Sequence, residues 1–135
     1  MHATIGPSAG LAHLDGDALT VWTQSQGIYP FRASLAEALG RDAASIHVIH
    51  APGAGCYGHN GADDAAFDAA LVACALPGTP VLLKWTRADE HGWEPYGTAM
   101  VADLCASIGP DGSIAAWSHE TFSATHVTRP RPGPG

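Results

Sequence analysis

Residues 52–61 (Pro-Gly-Ala-Gly-Cys-Tyr-Gly-His-Asn-Gly) form a glycine-rich segment that could bind a ligand. Four of these ten residues are glycine, and a residue without a Cβ lets the backbone approach a ligand closely. The helix predicted after the segment would offer free N–H groups to an anion. The spacing matches neither a dinucleotide-binding fingerprint nor a P-loop, which requires Gly-Lys-Ser/Thr. On its own, the segment predicts either a ligand loop or a plain turn from strand to helix.

Cys56 and His59, three residues apart in this segment, are candidate metal ligands together with histidines of the preceding strand. His47 and His50 are also three residues apart. On a strand such residues face opposite sides, so only one of them could join a site. No second Cys-x-x-Cys or His-x-x-x-His pair completes a tetrahedral zinc set. A zinc site of Cys56, His59 and His50 stays open only as a third alternative, and we expect no metal held by side chains.

Carboxylates that could act as general acids or bases cluster at Asp89, Glu90 and Glu94. Burial beside Trp93 would raise the pKa of such a carboxyl group. Arg87 is close in sequence, however, and an ion pair with Asp89 or Glu90 accounts for the same residues. The chain also lacks the Gly-x-Ser-x-Gly of a hydrolase nucleophile. We therefore expect a structural ion pair here and no catalytic residue in this chain.

Alternating or largely apolar runs bounded by turn residues predict six strands, and helical spacing predicts two helices. The turn Pro-Asp-Gly at 110–112 favours a hairpin between the last two strands. The predicted order is β-β-α-β-α-β-β-β, which indicates an α+β fold in which two helices pack on a mixed sheet. The predicted strands are 8–14, 18–23, 45–50, 80–86, 99–108 and 113–122, the predicted helices are 31–39 and 62–76, and 87–98 is predicted to be irregular.

Burial of these elements can also be predicted from their residues. The strands 45–50 and 80–86 are apolar enough to be buried on both faces. The helix 62–76 should bury the apolar residues that recur at helical spacing. These residues are Phe67, Leu71, Cys74 and Ala75.

The composition indicates a single folded domain with little charge. The chain has 135 residues, of which 46% are hydrophobic and 14% charged, and its formal net charge is −7. So few basic residues argue against a nucleic-acid partner, and no apolar run approaches the roughly 20 residues of a membrane span. We predict one domain over residues 1–127 and a flexible tail over 128–135, in which Arg, Pro and Gly alternate.

Cysteine usage and scarce charge bear on location and partners. Cys56, Cys74 and Cys105 are widely spaced, which is not a disulfide framework and suits a reducing compartment. We expect a cytoplasmic protein, with the periplasm as the alternative, and no secretory signal occurs within this chain. Scarce charge indicates that part of the surface is normally covered, so the chain is expected to self-associate or to bind a partner.

Several segments occur in an order that is typical of one enzyme family. They are Thr-Gln-Ser-Gln at 23–26, Ile-His-Val-Ile at 46–49, Gly-Cys-Tyr-Gly-His-Asn-Gly-Ala-Asp-Asp at 55–64, Pro-Val-Leu-Leu-Lys-Trp-Thr-Arg at 80–87 and Trp-Glu-Pro-Tyr-Gly at 93–97. Over nearly its whole length, the chain resembles the molybdopterin-binding large subunit of the xanthine dehydrogenase and aldehyde oxidase family. The resemblance is strongest to the branch of isoquinoline and nicotinate oxidoreductases. The segment 55–64 is its most specific part.

The resemblance implies an oxidoreductase. Family members hydroxylate an aldehyde carbon, or a carbon next to a ring nitrogen, with water as the oxygen source. The implied cofactor is molybdenum-molybdopterin, and iron–sulfur clusters in a partner subunit receive the electrons. The implied partners are therefore the remaining domains of the large subunit, an iron–sulfur electron-transfer subunit and a small-molecule substrate.

The resemblance also assigns cofactor-binding residues. A glutamine that follows a strand in the family matches Gln26, and not Gln24, when it is counted back from the glycine that ends the first helix. The family's aromatic-glycine pair beside the metal centre matches Tyr57 and Gly58. Gly55 belongs to the same loop and is expected to bind the cofactor with them.

Three departures from the family pattern qualify the implied activity. Tyr57 replaces the usual phenylalanine, and Gly61 stands where xanthine-type members have a substrate-binding glutamate, so a purine substrate is not expected. The family subunit is several times longer, and its catalytic glutamate lies far downstream. The chain therefore resembles a fragment, the first molybdenum-binding domain, and is expected to be inactive alone. The alternative is a non-catalytic binding or assembly module that pairs through its low-charge surface.

Overall fold

The computed structural model describes residues 2–53, 55–58 and 63–124. The chain divides into two compact units, of which the first extends to Tyr96 and the second begins at Gly97. The predicted flexible tail, 128–135, lies outside the described residues, and the single domain over 1–127 stays a prediction.

Seven helices and strands form the first unit, and two strands form the second. The strands are β1 (Ala9–Asp15), β2 (Ala18–Thr23), β3 (Ile46–His50), β4 (Val81–Lys84), β5 (Met100–Ile108) and β6 (Ile114–Ser123), and the helices are α1 (Ile28–Leu39), α2 (Asp64–Ala75) and α3 (Arg87–Trp93). A short 3-10 helix, Ala43–Ser45, precedes β3. Among the described helices, none combines the length and the apolar character that crossing a bilayer requires.

The four-stranded sheet of the first unit is mixed. β2 runs antiparallel to β1 and parallel to β3, and β1 also pairs antiparallel with β4. The strand order is therefore β3-β2-β1-β4, and α1 is the crossover between the parallel strands β2 and β3. These observations confirm the predicted α+β fold with a mixed sheet.

The strands β3 and β4 are the two outer strands of this sheet. The expectation that both faces of each are buried is wrong. In β3 only Ile46 is buried, and in β4 Leu82 is 65% exposed. Burial alternates along β1 and β2 as well, which shows that the helices cover one face of the sheet. An apolar run in a sequence does not reveal whether one face or both will be covered.

The helix α2 packs on the sheet through alanines. The predicted face is partly wrong, because Leu71 and Ala75 are exposed, whereas Phe67 and Cys74 are partly buried against the core. Small residues allow the helix to lie very close to β1, where a Cβ placed on Gly10 would come within 2.5 Å of the Ala66 Cα atom. The residues that α2 buries are Ala65, Ala66, Ala69, Ala70 and Ala73.

The helix α3 occupies part of a segment that was predicted to be irregular. Thr86 caps its start: the Thr86 hydroxyl accepts a hydrogen bond from the Asp89 N–H, and the Asp89 carboxylate accepts one from the Thr86 N–H at 2.7 Å. This capping box satisfies two backbone donors that a helix start leaves free. The Asp89 carboxylate also accepts a hydrogen bond from the Thr86 hydroxyl at 2.7 Å. The hydrogen bonds that this carboxylate accepts from Thr86, the backbone one first and the side-chain one second, hold the pKa of Asp89 below its ordinary value.

The second unit is the antiparallel hairpin of β5 and β6, as the Pro-Asp-Gly turn predicts. It is a two-stranded sheet of its own and not an extension of the four-stranded sheet. The turn closes through a hydrogen bond from the Gly109 N–H to the Ser113 carbonyl at 2.8 Å, and Gly112 takes the left-handed conformation with φ of 81°. Hydrogen bonds from Ser113 hold the pKa of Asp111 below its ordinary value.

Candidate functional site

The polar segments after β2 and β3 meet where both strands end, which is here called the carboxyl edge of the sheet. The two strands are parallel neighbours, so their carboxyl ends point the same way, and the Ala51 N–H extends the pairing by a hydrogen bond to the Thr23 carbonyl at 2.8 Å. In open α/β sheets ligands bind outside the carboxyl ends of parallel strands, and β2 and β3 form such a parallel pair. This edge therefore brings residues 24–26, the glycine-rich loop and the start of α2 into one place.

Ser25 is the buried polar centre of this edge. Its hydroxyl donates to the Asp63 carboxylate at 2.9 Å and accepts a hydrogen bond from the Gly27 N–H at 3.0 Å. The Ser25 carbonyl lies 3.0 Å from Nδ1 of His50. Because a carbonyl oxygen can only accept, His50 donates from Nδ1. Ser25 thus ties the end of β3, the start of α1 and the start of α2 together.

Gln24 lies directly against the glycine-rich loop. A Cβ placed on Gly53 would be only 1.9 Å from Oε1 of Gln24, so the loop needs glycine at this position. Gln24 also lines an open depression of about 450 Å³ together with Trp22, Thr23 and Pro52. The family pattern selected Gln26 instead, whose side chain is exposed one residue before the Gly27 cap of α1. The contact between Gln24 and Gly53 could not be inferred from spacing along the chain.

The loop backbone at 55–58 is folded in an unusual way. Gly55, Tyr57 and Gly58 all have positive φ, of 96°, 52° and 104°. For glycine this conformation is cheap, but for tyrosine it is strained. Backbone strain of this kind is concentrated at ligand-binding sites. The Tyr57 side chain is 60% exposed, and its ring would contact a Cβ on Gly55 at 2.6 Å.

The N-terminal residues connect this loop to α3, which sequence reasoning did not detect. The His2 N–H donates to Oε1 of Glu94 at 2.7 Å, and Nδ1 of the His2 ring lies 3.6 Å from the same oxygen. The His2 ring also lies close to the loop: a Cβ placed on Gly58 would be only 2.9 Å from Cδ2 of the ring. Glu94 is only 3% exposed. A buried carboxylate therefore holds His2 against the candidate site.

The acidic cluster of α3 is structural, as the ion-pair hypothesis predicts. Glu90 is completely buried, and one of its carboxylate oxygens accepts hydrogen bonds from the Ser8 N–H at 2.7 Å and from the Ser8 hydroxyl at 3.2 Å. Its other oxygen pairs with Arg87, which also donates to the Thr4 carbonyl. A buried carboxylate requires such partners. Glu90 therefore anchors the N-terminal segment to α3.

Of the predicted cofactor-binding residues, the structure brings Gly55, Tyr57 and Gly58 together in one loop. His59 and Gly61 lie outside the described residues, so the zinc alternative is not described in full. Within the described ranges no group of three His, Cys, Asp or Glu side chains is arranged to hold a metal ion.

A sequence model of one protein family, the molybdopterin cofactor-binding domain, matches residues 1–130. The chain belongs to this family. The match includes the glycine-rich loop and both polar segments at the sheet edge, so the family assignment covers the whole candidate site. It confirms the resemblance from which Gln26, Tyr57 and Gly58 were predicted, although the roles of these residues stay predictions.

Relatives of known function are much longer than this chain. It is 42% identical over 121 residues to one subunit of the nicotinate dehydrogenase of Pseudomonas putida, and the match spans 90% of the chain but 10% of that subunit. It is 31% identical over 123 residues to the molybdenum-binding subunit of an aldehyde oxidoreductase of Escherichia coli, of which it covers 17%. The chain thus corresponds to a small part of each relative.

Solved structures share the fold. Quinoline 2-oxidoreductase from Pseudomonas putida 86 matches with a TM-score of 0.72 and 17% identity over 89% of this chain and 16% of that one. Aldehyde oxidoreductase from Desulfovibrio gigas matches with a TM-score of 0.68 and 18% identity over 89% of this chain and 13% of that one. At such low identity these matches establish the architecture alone. They confirm the expected cofactor-binding-domain fold.

Proposed function

We propose that this chain forms one wall of the molybdopterin site of a molybdenum hydroxylase. The enzyme would use water to oxidise an aldehyde carbon or a carbon next to a ring nitrogen, and the relative that acts on nicotinate favours the nitrogen heterocycle. The observation that carries the proposal is the loop 55–58, where three of four residues have a left-handed backbone at the carboxyl edge of the sheet. Glycine at positions 55 and 58 lets a ligand approach this backbone closely, and backbone strain of this kind is concentrated at functional sites.

The residues at this edge fit such a cofactor. A pterin cofactor brings its own metal, so the protein needs hydrogen-bond donors and close backbone approach more than a set of metal ligands. The glycines at 55 and 58 supply that approach, and Gln26 supplies an exposed amide. When bound, the molybdenum cofactor supplies the two-electron oxidation of the substrate. In this proposal the chain itself supplies binding and orientation.

Each predicted residue has a distinct role in this proposal. Gly55 and Gly58 let the loop backbone lie against the cofactor, and the Gln26 amide donates a hydrogen bond that orients it. Tyr57 faces the substrate, where its ring limits the shape of the pocket and its hydroxyl offers a hydrogen bond. Ser25 holds the start of the loop and the start of α2 in place beside Gln26. In this proposal a residue of another domain moves the substrate proton, so the isolated chain would be inactive.

The partners in this proposal follow from the length and names of the relatives. The remaining domains of a large subunit would complete the cofactor site, and an iron–sulfur subunit would take the electrons. The substrate is a small molecule, and the excess of acidic residues argues against nucleic acid. All three cysteines are free thiols, which favours the cytoplasm over the periplasm.

Hydrogen exchange with added cofactor tests the binding role. Molybdenum cofactor released anaerobically from a purified molybdenum enzyme should slow amide exchange in residues 53–58 and leave the hairpin turn at 109–112 unchanged. Gly58→Ala should abolish the slowing. Gly78→Ala is the matched control, because Gly78 also has positive φ but open space around it. Unchanged exchange at 53–58 under saturating cofactor would overturn the proposal.

An activity measurement tests the claim that this chain is one wall and not a whole site. Nicotinate and an aromatic aldehyde should be unchanged after incubation with the cofactor-loaded chain and an artificial electron acceptor. Elemental analysis of the same sample should find only trace molybdenum after gel filtration, because most contacts lie in other domains. Stoichiometric molybdenum, or any hydroxylated product, would contradict this part of the proposal.

A second candidate function is a module that pairs through a weakly charged surface. The observation that favours it is the set of large apolar side chains that the hairpin exposes. Pairing and cofactor binding use different residues, so one chain can do both.

A further inference from the structure

We propose that two copies of this chain pair through one face of the hairpin of β5 and β6. The inference rests on the second candidate function, pairing, and names the surface that performs it. It is independent of the cofactor site, because it uses no residue outside the hairpin.

One side of the hairpin, here called the apolar face, carries five of its seven large apolar residues. Residues directly opposite each other in an antiparallel pair share a face, and successive residues alternate. Ala106 lies opposite Trp117, and a register shift after Ser107 brings Ile114 opposite Ile108 and onto the same face. The large residues of the apolar face are Met100, Leu104, Ile108, Ile114 and Trp117.

The opposite face is acidic. Asp103 lies directly across from Glu120, where two like charges repel. The hairpin contains no Lys or Arg that could neutralise them. Two copies brought together through this face would repel each other, although Val101 and Phe122 add an apolar pair at its open end. The two faces therefore have opposite tendencies towards pairing.

The apolar face is large enough for a weak dimer. Its five large residues are each 58% to 64% exposed. With about 200 Å² for a side chain of this size, they expose roughly 600 Å² in each copy. Two copies would bury about 1,200 Å², the lower limit for specific interfaces. At this lower limit of area we expect a weak dimer that dissociates on dilution.

A second copy fits this face better than a charged partner does. The face carries no Asp, Glu, Lys or Arg, so it offers no fixed charge that could recognise a charged ligand. On this face Ala102 and Ala106 alternate with larger residues of β5. They leave room for the large residues of the same face in a second copy that is related by a two-fold axis. Sheets stacked in this way lie about 10 Å apart. Moreover, a two-stranded hairpin is only marginally stable in water until an apolar face is covered.

Adjacent residues of β6 provide a matched pair of variants. Trp117 and Ser118 are neighbours in the chain but lie on opposite faces. Trp117→Glu puts a charge into the apolar face, whereas Ser118→Glu puts the same charge on the acidic face. Sedimentation velocity from about 1 to 500 μM protein, with reductant present because Cys105 is exposed, measures the dimer fraction.

Three outcomes are distinct. We expect a concentration-dependent dimer for the wild type and for Ser118→Glu, and a dissociation constant at least about 30-fold weaker for Trp117→Glu. A wild-type chain that stays monomeric to 500 μM would overturn both the pairing function and this inference. A dimer that Trp117→Glu leaves intact would overturn the inference alone, because pairing would then use another surface. Leu104→Glu repeats the test on β5 in case Trp117→Glu prevents the hairpin from forming.

Discussion

Gly10 is the position where a single methyl group should disturb the fold most. It lies in β1 beneath α2, and a Cβ placed on it would be 2.5 Å from the Ala66 Cα atom. The same Cβ would be 3.0 Å from the carbonyl oxygen of Ala65 and from the Ala66 nitrogen. Carbon atoms normally meet at about 3.5–4.0 Å. All three neighbours are backbone atoms, so no side chain can rotate away, and strand and helix must separate by about 1 Å.

The size of the effect follows from this geometry. Overpacking a rigid core costs about 1–3 kcal/mol, and backbone neighbours place Gly10→Ala at the upper end, near 3 kcal/mol. In a domain of this size each kcal/mol corresponds to roughly 4–8 °C, so the midpoint of thermal unfolding should fall by roughly 12–24 °C. Because α2 carries Asp63 towards Ser25, the displacement should also loosen the candidate site.

Gly92→Ala is the control for the Gly10 substitution. The chemical change is the same, but Gly92 lies in α3 with open space where a Cβ would be placed. Alanine there should stabilise the fold by about 0.4–1 kcal/mol, because it restricts the unfolded chain. Urea and thermal unfolding followed by circular dichroism measure both variants. If Gly10→Ala lowered the free energy of unfolding by less than about 1 kcal/mol, the close packing of α2 on β1 would be refuted.

Three further predictions concern a buried carboxylate, a helix cap and the contact between Gly53 and Gln24. Glu90→Gln keeps the shape of the side chain but removes its charge, so the free energy of unfolding in urea should fall by about 2 kcal/mol, and an unchanged value would contradict the anchoring role. The pKa of Asp89 is held below its ordinary 3.8 in the folded chain, so its contribution to stability is complete above that value and is lost as the pH falls through the lower folded pKa. Urea unfolding between about pH 2 and 6 should therefore show the stability difference between wild type and Asp89→Asn shrinking towards acid pH, and a constant difference would argue against the Thr86 cap. Gly53→Ala should displace the Gln24 amide, which would shift its side-chain NMR resonances, whereas Gly78→Ala should leave them unchanged.

Strands were the elements that local pattern predicted best. Alternating or largely apolar runs predicted all six described strands to within two residues at either end, because strands that pack in a sheet require such runs. The Pro-Asp-Gly turn likewise predicted the hairpin. Which strands pair was not predictable in this way. The parallel contact between β2 and β3 depends on the crossover through α1, which joins residues far apart in the chain.

Two errors concerned helices, and their causes differ. The start of α3 was missed although the sequence carries its signal, since Thr86 followed three residues later by Asp89 is a capping box. The buried face of α2 was assigned to larger residues, because a hydrophobicity pattern gives them more weight than alanine. The structure buries the alanines because only small side chains fit against the backbone at Gly10.

The sequence by itself determined the family, the strands and the presence of a glycine-rich loop between a strand and a helix, because these depend on residues that are close along the chain. Only the tertiary structure decided what surrounds that loop. Gln24 reaches Gly53, and His2, at the N-terminal end of the chain, reaches Gly58 while its N–H is hydrogen bonded to Glu94. Contacts between residues so distant in sequence arise from the packing of strands and helices, and no local spacing records them.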